Sequence, residues 1–444
     1  MKIVIAGAGE VGSHLAKLLS REEQDITLID SDQDKLASID ANYNLLTFCG
    51  NPTSFQTLSQ ARVAGCDLFI AVTPHETRNI ISCSIARSLG AKKTVARIDN
   101  FEFKMKEHRE YFASIGVDDL IYPEYLAALE ILTALERNWV RHWFELHDGE
   151  LIVVGVKIRD NAPLVGMQLK DVAMKSHKFH IAAIRRNNET IIPRGDDYIS
   201  VGDIVYIATK REDVDELIVL CGKTHRRIQD VMIMGGSRIA IRLVSMGHDK
   251  YNFKIIDTDR EKCLYLSEKC PDAEIVCADA RDTDTLTEEG ITSTDAFVAL
   301  TESSETNILT CLSAKEFGVI KTIAEVENLQ FISEAENLNI GTIVNKKLLA
   351  SSRIFQILLD TDTSTSKCLA LTDAEVAEIE VREGSKITRA AVKDLRLSHD
   401  MTIAGLIRDG HGMLVTGNTV IRPGDHVVVF CLNGVIHNIE KLFN

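Results

Sequence analysis

Val4-Ile5-Ala6-Gly7-Ala8-Gly9-Glu10-Val11-Gly12 runs out of an apolar strand, through a glycine turn, into the opening of a helix. The pattern is Gly-x-Gly-x-x-Gly, and each glycine removes a Cβ for its own reason. The first permits the tight turn, the second lets phosphate oxygens approach the backbone, and the third lets helix and strand pack closely. The amides that open the helix then face the phosphates. Asp30 ends the next apolar run, 18 residues after Gly12, where a carboxylate can hold ribose hydroxyls. Ser31 and Asp32 follow with no arginine to receive a 2′-phosphate, so the motif favours NAD or a plain adenine nucleotide over an NADP-type ligand.

The same statement is made again. Met232-Ile233-Met234-Gly235-Gly236-Ser237-Arg238-Ile239-Ala240 repeats the pattern 228 positions on. At that offset Asp67-Leu68-Phe69-Ile70-Ala71-Val72-Thr73 returns as Asp295-Ala296-Phe297-Val298-Ala299-Leu300-Thr301, and Asn79 as Asn307. Likeness over so long a stretch is internal duplication, not one glycine motif arising by chance. A chain of 444 residues is too long for one core, and the repeat divides it at residues 222 to 228.

In the first half the apolar runs Ile3 to Ala6, Ile26 to Ile29, Leu45 to Phe48, Leu68 to Val72, Thr94 to Ile98 and Asp119 to Ile121 alternate with helical patterns. That alternation describes a doubly wound parallel sheet. A helix after Pro123 carries Tyr125, Leu129, Leu132, Leu135 and Trp139 as one apolar stripe ending beside Trp143. Such a stripe needs a partner surface, either its own sheet or a neighbour that receives a swapped or dimerising helix. From Leu151 the texture becomes strand-rich, over Leu151 to Ile158, His180 to Arg185 and Asp203 to Ala208, before a short helix at Val214 to Cys221. This small α+β module is echoed at the end of the chain, where Val201-Gly202-Asp203 returns as Pro423-Gly424-Asp425 in a plausible tight turn. The expected class is α/β: two tandem Rossmann-like doubly wound parallel sheets, each followed by a small α+β module. The expected limits are 1–140, 141–225, 226–362 and 363–444.

Hydrophobic content of 45% and charged content of 26% are those of a globular chain with real cores. A net charge of −15 opposes binding to nucleic acid or to an anionic lipid surface. The ten cysteines form no Cys-x-x-Cys pair and no zinc-ligand spacing, which points to buried thiols in a reduced cytosolic setting. Cys263 and Cys270, seven apart on a predicted helix, read as sharing one apolar face rather than as a redox pair. No segment reads as a signal peptide or as a membrane span of about 20 apolar residues.

Thr73 and Pro74 end the fourth strand and Arg97 the fifth, on the sheet edge that faces a ligand crevice. Arg97 is placed to clamp a phosphate with its guanidinium fork, or alternatively to pair with a surface carboxylate. Asn51, after the third strand, is an adenine contact or, before Pro52, a turn former. In the second copy Gly9 becomes Ser237, Gly12 becomes Ala240 and Arg97 becomes Glu325. Phosphate contact is impaired at all three points, although Gly235, Gly236, Asp257 and Asp279 remain available to a ribose or adenine. The second site is therefore expected to bind weakly, to prefer another ligand, or to be empty. A catalytic constellation and a metal site are both missing; His177 and His180 are the nearest candidates and have no recognisable partners.

The arrangement resembles the TrkA family, the cytosolic nucleotide-binding subunits of bacterial Trk potassium-uptake systems, built from two tandem regulator-of-potassium-conductance units. The resemblance rests on Gly7 through Gly12, Leu28-Ile29-Asp30, Ala71-Val72-Thr73 with Glu76-Thr77 and Asn79, Ala96-Arg97-Ile98, and Leu120-Ile121-Tyr122-Pro123-Glu124. Gly424-Asp425-His426-Val427 and Glu440-Lys441-Leu442-Phe443 close it, so that it spans essentially the whole chain. It implies a regulatory protein, not an enzyme, that binds NAD(H) or ATP/ADP. It also implies a homo-oligomeric ring, dimeric or tetrameric, docked through its partner at the inner face of the membrane beneath a potassium channel subunit. The family's phosphate-loop role carries to Gly7, Ala8, Gly9, Glu10 and Val11, its ribose contact to Asp30, and further contacts to Thr73, Pro74 and Arg97. A rival reading, an NAD-dependent oxidoreductase with a duplicated cofactor domain, predicts turnover of NADH. A purely structural scaffold predicts no nucleotide-dependent thermal shift.

Overall fold

A computed structural model describes every residue except 21–23, 176, 188, 360–365, 371–373, 396, 433–441 and 444. The expected limit at 362/363 and the Glu440-Lys441 pair lie outside the described residues.

The first unit alternates strand and helix. It begins with β1 (Lys2–Ala6), α1 (Glu10–Leu19), β2 (Asp25–Asp30), α2 (Gln33–Asp40), β3 (Leu46–Cys49) and α3 (Phe55–Gln60). It continues with β4 (Leu68–Ala71), α4 (Glu76–Ser88), β5 (Lys93–Arg97), α5 (Arg109–Ser114), β6 (Asp119–Ile121) and α6 (Pro123–Glu136). All strands run parallel in the order β3-β2-β1-β4-β5-β6. Helices cover both faces, which is why β1 and β4 are continuous buried apolar runs with no polar alternation. The order reverses between β1 and β4, and the crevice for a ligand opens at their carboxyl ends.

A five-stranded antiparallel sheet follows, formed by β7 (His142–Leu146), β8 (Leu151–Lys157), β9 (Phe179–Arg186), β10 (Glu189–Ile191) and β11 (Ile204–Thr209) in the order β10-β9-β11-β8-β7. Its helices are α7 (Leu169–Lys175) and α8 (Val214–Leu220). Strand β7 corrects the sequence expectation, which let the aromatic cluster end a helical stripe. Helix α6 stops at Glu136, so Trp139 lies beyond it and packs into the module core beside Trp143. Leu129, counted in the stripe, is 45% exposed; the buried face is Ala127, Ala128, Ile131, Ala134 and Leu135.

The second unit repeats the first. Its elements are β12 (Asp230–Met234), α9 (Arg238–Gly247), β13 (Asn252–Asp257), α10 (Arg260–Lys269), β14 (Ala273–Cys277) and α11 (Thr283–Glu288). They continue through β15 (Ala296–Ala299), α12 (Ser304–Glu316), β16 (Lys321–Glu325), α13 (Gln330–Asn337), β17 (Thr342–Val344) and α14 (Lys346–Leu359). The parallel order β14-β13-β12-β15-β16-β17 matches that of the first sheet. The second module has β18 (Ser366–Ala370), β19 (Ala374–Glu380), β20 (Met401–Arg408), β21 (His411–Leu414) and β22 (His426–Leu432), ordered β18-β19-β22-β20-β21. The Gly-Asp turns are structural in both modules. Gly202 and Gly424 take φ of +94° and +83°, and the buried Asp203 and Asp425 accept paired hydrogen bonds from Arg186 and Arg408 at 2.7 and 2.8 Å.

The halves exchange their last helices. Helix α6 sets its buried face among Ile233, Leu243, Val244 and Phe253 of the second unit, and α14 sets Ala350, Ile354 and Ile357 among Ile3, Leu15 and Leu19 of the first. Of the two placements open to the Pro123 helix, the neighbour's surface is the one occupied. Each fully buried Leu or Ile contributes about 1.5–3 kcal/mol, so the exchange binds the halves firmly. The modules share a core too, with Leu151, Val153 and Tyr206 against Val376, Ala404 and Phe430. His180 meets Thr402 there, Nε2 to Oγ1 at 3.3 Å, and burial lowers its pKa to about 4. His177 is exposed. Cys263 and Cys270 are both buried.

Candidate functional site

The first crevice is built from the glycine turn upward. Gly7 has φ of +114°, and a Cβ there would meet the Val72 and Thr73 backbone at 3.0 Å, so the turn takes no side chain. A Cβ on Gly12 would lie 1.8 Å from the Gly7 oxygen, which lets α1 start directly against the turn. Gly9 differs from both: its backbone is extended and a Cβ would meet nothing within 4 Å. That open space lies above the N-terminus of α1, which has no side-chain cap. Helix N-terminal amides without an intrahelical partner form an anion site, and Ala8, Glu10 and Val11 belong to the same turn.

Asp30 sits at the end of β2 beside this turn. Its Oδ2 accepts the Ala8 N–H at 2.6 Å and its Oδ1 the Asp32 N–H at 2.9 Å, which fixes the carboxylate beside the turn. On the far side Thr73, 9% exposed, lies just past the end of β4, and Pro74 is exposed next to it. Arg97 ends β5 with one nitrogen 3.0 Å from Asp99 Oδ1, while its Nε is buried with no hydrogen-bond partner. An orphaned donor of this kind suits an anionic oxygen. Asn51 stands apart in an exposed turn where its Oδ1 accepts from the Thr53 N–H and hydroxyl at 3.0 and 2.8 Å. The crevice thus brings together Gly7 through Gly12, Asp30, Thr73 and Arg97.

Sequence reasoning aligned Asn79 with Asn307 but gave them no role. Buried Asn79 accepts from the Thr73 N–H and hydroxyl at 2.9 and 2.6 Å and donates to the Thr73 and Arg97 carbonyls at 3.0 and 2.8 Å. It pins the ends of β4 and β5 together. Asn307 does the same for Thr301 and Glu325. Glu76 was also missed as a support; its Oε2 accepts the N–H groups of Asp99 and Asn100, both at 2.8 Å. The signal available was the repeat itself, because polar residues kept at matching buried positions serve the frame.

The second crevice satisfies itself. Ser237 caps α9 with its own hydroxyl, which accepts the Ala240 N–H at 3.4 Å. Gly235 keeps the turn with φ of +95°. A Cβ on Gly236 would strike Leu266 at 2.2 Å, so that side chain fills the space beside the turn. Asp257 accepts the Gly236 and Asp259 N–H groups at 2.7 and 3.0 Å and pairs with Lys262 at 2.8 Å. Burial works to raise its pKa, but Lys262 and the two amides outweigh that and lower it. Asp279 is held by the Arg281 fork at 2.9 and 2.6 Å. Glu325, 3% exposed, lies 3.1 Å from Lys346; burial raises its pKa against that pull. Among the described residues, Asp257, Asp279 and Glu325 each face a cation of their own unit, at Lys262, Arg281 and Lys346, which Asp30 of the first crevice does not.

Both halves of the chain match known domains. The TrkA-N domain model matches residues 3–123 and 231–346, and the TrkA-C domain model matches 153–222 and 376–444. The Trk system potassium uptake protein TrkA of Halomonas elongata is 29% identical over 100% of this chain and 98% of its own. The Trk system potassium uptake protein TrkA homolog of Archaeoglobus fulgidus is 30% identical over the whole of both. Among solved structures the GsuK RCK domain covers 100% of this chain and 94% of its own, with a TM-score of 0.61 at 15% identity. The GsuK channel bound to NAD covers 100% of this chain and 78% of its own, with a TM-score of 0.60 at 14% identity. With both domain types matched twice and in alternation, the chain belongs to the TrkA family.

Proposed function

We propose that the chain is the regulatory subunit of a potassium-uptake system, which binds NAD(H) or ATP/ADP in its first crevice and gates a membrane potassium channel subunit through a change of ring conformation. The observation that carries the reading is the contrast between α1, left uncapped under open space at Gly9, and α9, capped by Ser237. Phosphates would lie on the Gly7 to Gly12 turn, the ribose on Asp30, and Arg97 beside the phosphates. Thr73 and Pro74 would wall the crevice, and Asn51 would meet an adenine only on releasing Thr53 from its own turn. The second crevice, at Gly235, Gly236, Ser237, Asp257 and Asp279, would bind more weakly or not at all. The relatives' names supply the potassium system, and a GsuK channel has been solved with NAD and GsuK also with ADP.

Regulation here needs no chemistry on the nucleotide. A ligand shifts a conformational equilibrium only by its differential affinity for the two states, so the nucleotide that opens the ring must bind the open form more tightly. The four segments 1–140, 141–225, 226–362 and 363–444 would act as two sensing units and two regulatory modules, on the cytosolic face and joined to the membrane through the channel. No helix among the described residues is long and apolar enough to cross a membrane. The test compares thermal unfolding with NAD, NADH, ATP and ADP, and incubates the protein with NADH and carbonyl substrates. A thermal shift without cofactor consumption supports sensing. Turnover, or no shift with any nucleotide, refutes it.

A further inference from the structure

The first and second units meet through α1, α6, α9 and α14, and the charges on this interface invert from one unit to the other. Glu10 opens α1 where Arg238 opens α9; Glu124 is second in α6 where Lys347 is second in α14. Unlike charges face across the contact. Lys347 pairs with Glu10, and Arg238 lies 3.7 Å from Glu124 and 3.7 Å from Asp99. Lys347 also reaches Glu327 of its own unit at 3.1 Å. Glu124 and Lys347 are buried, at 3% and 8% exposure, and Glu124 Oε2 has no hydrogen-bond partner, so an opposite charge across the contact matters to each. One turn after Arg238, the Arg242 guanidinium stacks 3.8 Å from the Phe101 ring centroid, whereas the matching position on α1 is His14.

The apolar part of the interface discriminates by shape, with Gly247 under Leu132 in one contact and Leu19 at the matching position in the other, and the charges add a preference of their own. The faces of α6 and α14 are both made of alanines and branched aliphatic residues, and hydrophobic attraction is non-directional. Two first units joined in this geometry would set Glu10 against Glu124 at both ends. Two second units would set Arg238 against Lys347 at both ends. Glu10 and Arg238 are the exposed members of these pairs, and the buried Glu124 and Lys347 are the members that would lose their counter-charge and face a like charge in a wrong pairing, which opposes the wrong partner.

We propose that Glu10, Glu124, Arg238 and Lys347 form a pairing code, by which the α1/α6 face of a first unit accepts only a second unit. The face is then closed by the chain's own other half, and further copies must join through different surfaces. The inference is independent of what the first crevice binds.

Exchanging charges in the full chain tests it. R238E/K347E makes both units acidic at these positions, and E10K/E124K makes both basic. Each variant alone is expected to lose closed pairing, read as a larger hydrodynamic radius and faster proteolysis than the parent. Co-expressed with a tag on one chain, the two are expected to form mixed pairs in about tenfold excess over like pairs, the ratio given by about 1.4 kcal/mol of differential affinity. The quadruple variant, with all four charges exchanged, should close again within one chain. A variant that does not fold alone is still read by whether its complement recovers it. Parental radius and protease resistance in either double variant, no excess of mixed pairs, or a quadruple variant that stays open would each overturn the code.

Discussion

Replacing Gly9 by serine separates binding from folding. Gly9 and Ser237 occupy equivalent turns with nearly the same backbone, φ −72° and ψ −173° against φ −72° and ψ 169°. A Cβ at Gly9 meets nothing within 4 Å, so the substitution is sterically free in the unliganded protein. A serine cap in place of glycine changes helix stability by only a few tenths of a kcal/mol, so the unliganded melting temperature should move by about 1–2 °C at most. With a nucleotide the outcome reverses, because the new side chain stands where the phosphates approach and its hydroxyl engages an amide they need. At a ligand concentration of about 100 times Kd the parent gains about 2.7 kcal/mol, or about 5–10 °C for a unit of this size. The assay is differential scanning fluorimetry of parent and G9S with NAD, NADH, ATP and ADP over a concentration series. Loss of most of the shift with the unliganded transition intact is the expected result. A G9S protein that keeps the parent's shift for every nucleotide would refute the reasoning, since the space above α1 would then not hold phosphate.

Three further outcomes follow from other residues. Asn79→Ala strands the Thr73 N–H and the Arg97 carbonyl and should cost about 2–4 kcal/mol by chemical denaturation; Asn307→Ala should cost a similar amount, but only N79A should also weaken nucleotide binding in a titration. Arg97→Ala should lower the affinity for at least one phosphate-bearing nucleotide about tenfold or more, the scale of a lost charge-assisted contact, and unchanged calorimetric affinities for all of them would remove Arg97 from the site. Lys321 is buried and donates to the Val140 carbonyl at 3.1 Å; desolvation, aided by Arg141 and opposed by Glu130, lowers its pKa to about 7. Because the unfolded chain binds this proton up to about pH 10 and the folded protein releases it near 7, stability should rise with pH through that window, by at most about 2 kcal/mol between pH 7 and 9. Lys321→Met should lose that slope in urea unfolding at the two pH values, and an undiminished slope would assign it to other groups.

The two parallel sheets were legible because their signals are local. A strand buried on both faces must be apolar throughout, a turn at positive φ must be glycine at Gly7 and Gly235, and a carboxylate after β2 falls beside that turn whatever else the chain does. Duplication made each signal count twice. Strand β7 was not legible, because His142-Trp143-Phe144-Glu145-Leu146 follows a helix after a short link and Trp139 and Trp143 continue the helical pattern. Nor was the true face of α6, since Leu129 and Leu132 suit the same spacing as the alanines that are buried.

By itself the sequence determined the α/β class, the two parallel sheets, the turn at Gly7 to Gly12 with Asp30 beside it, and the replacement of two glycines and an arginine by Ser237, Ala240 and Glu325 in the second copy. Only the tertiary structure decided which half receives α6 and α14, that Asn79 ties Thr73 to Arg97, and that Lys262, Arg281 and Lys346 already neutralise the second crevice. The physical reason is range. Periodicity and turn chemistry are set by neighbours along the chain, whereas an apolar helix face or a buried charge is satisfied by whatever stands opposite it, and here Glu124 meets Arg238 and Glu10 meets Lys347, partners far apart in the chain.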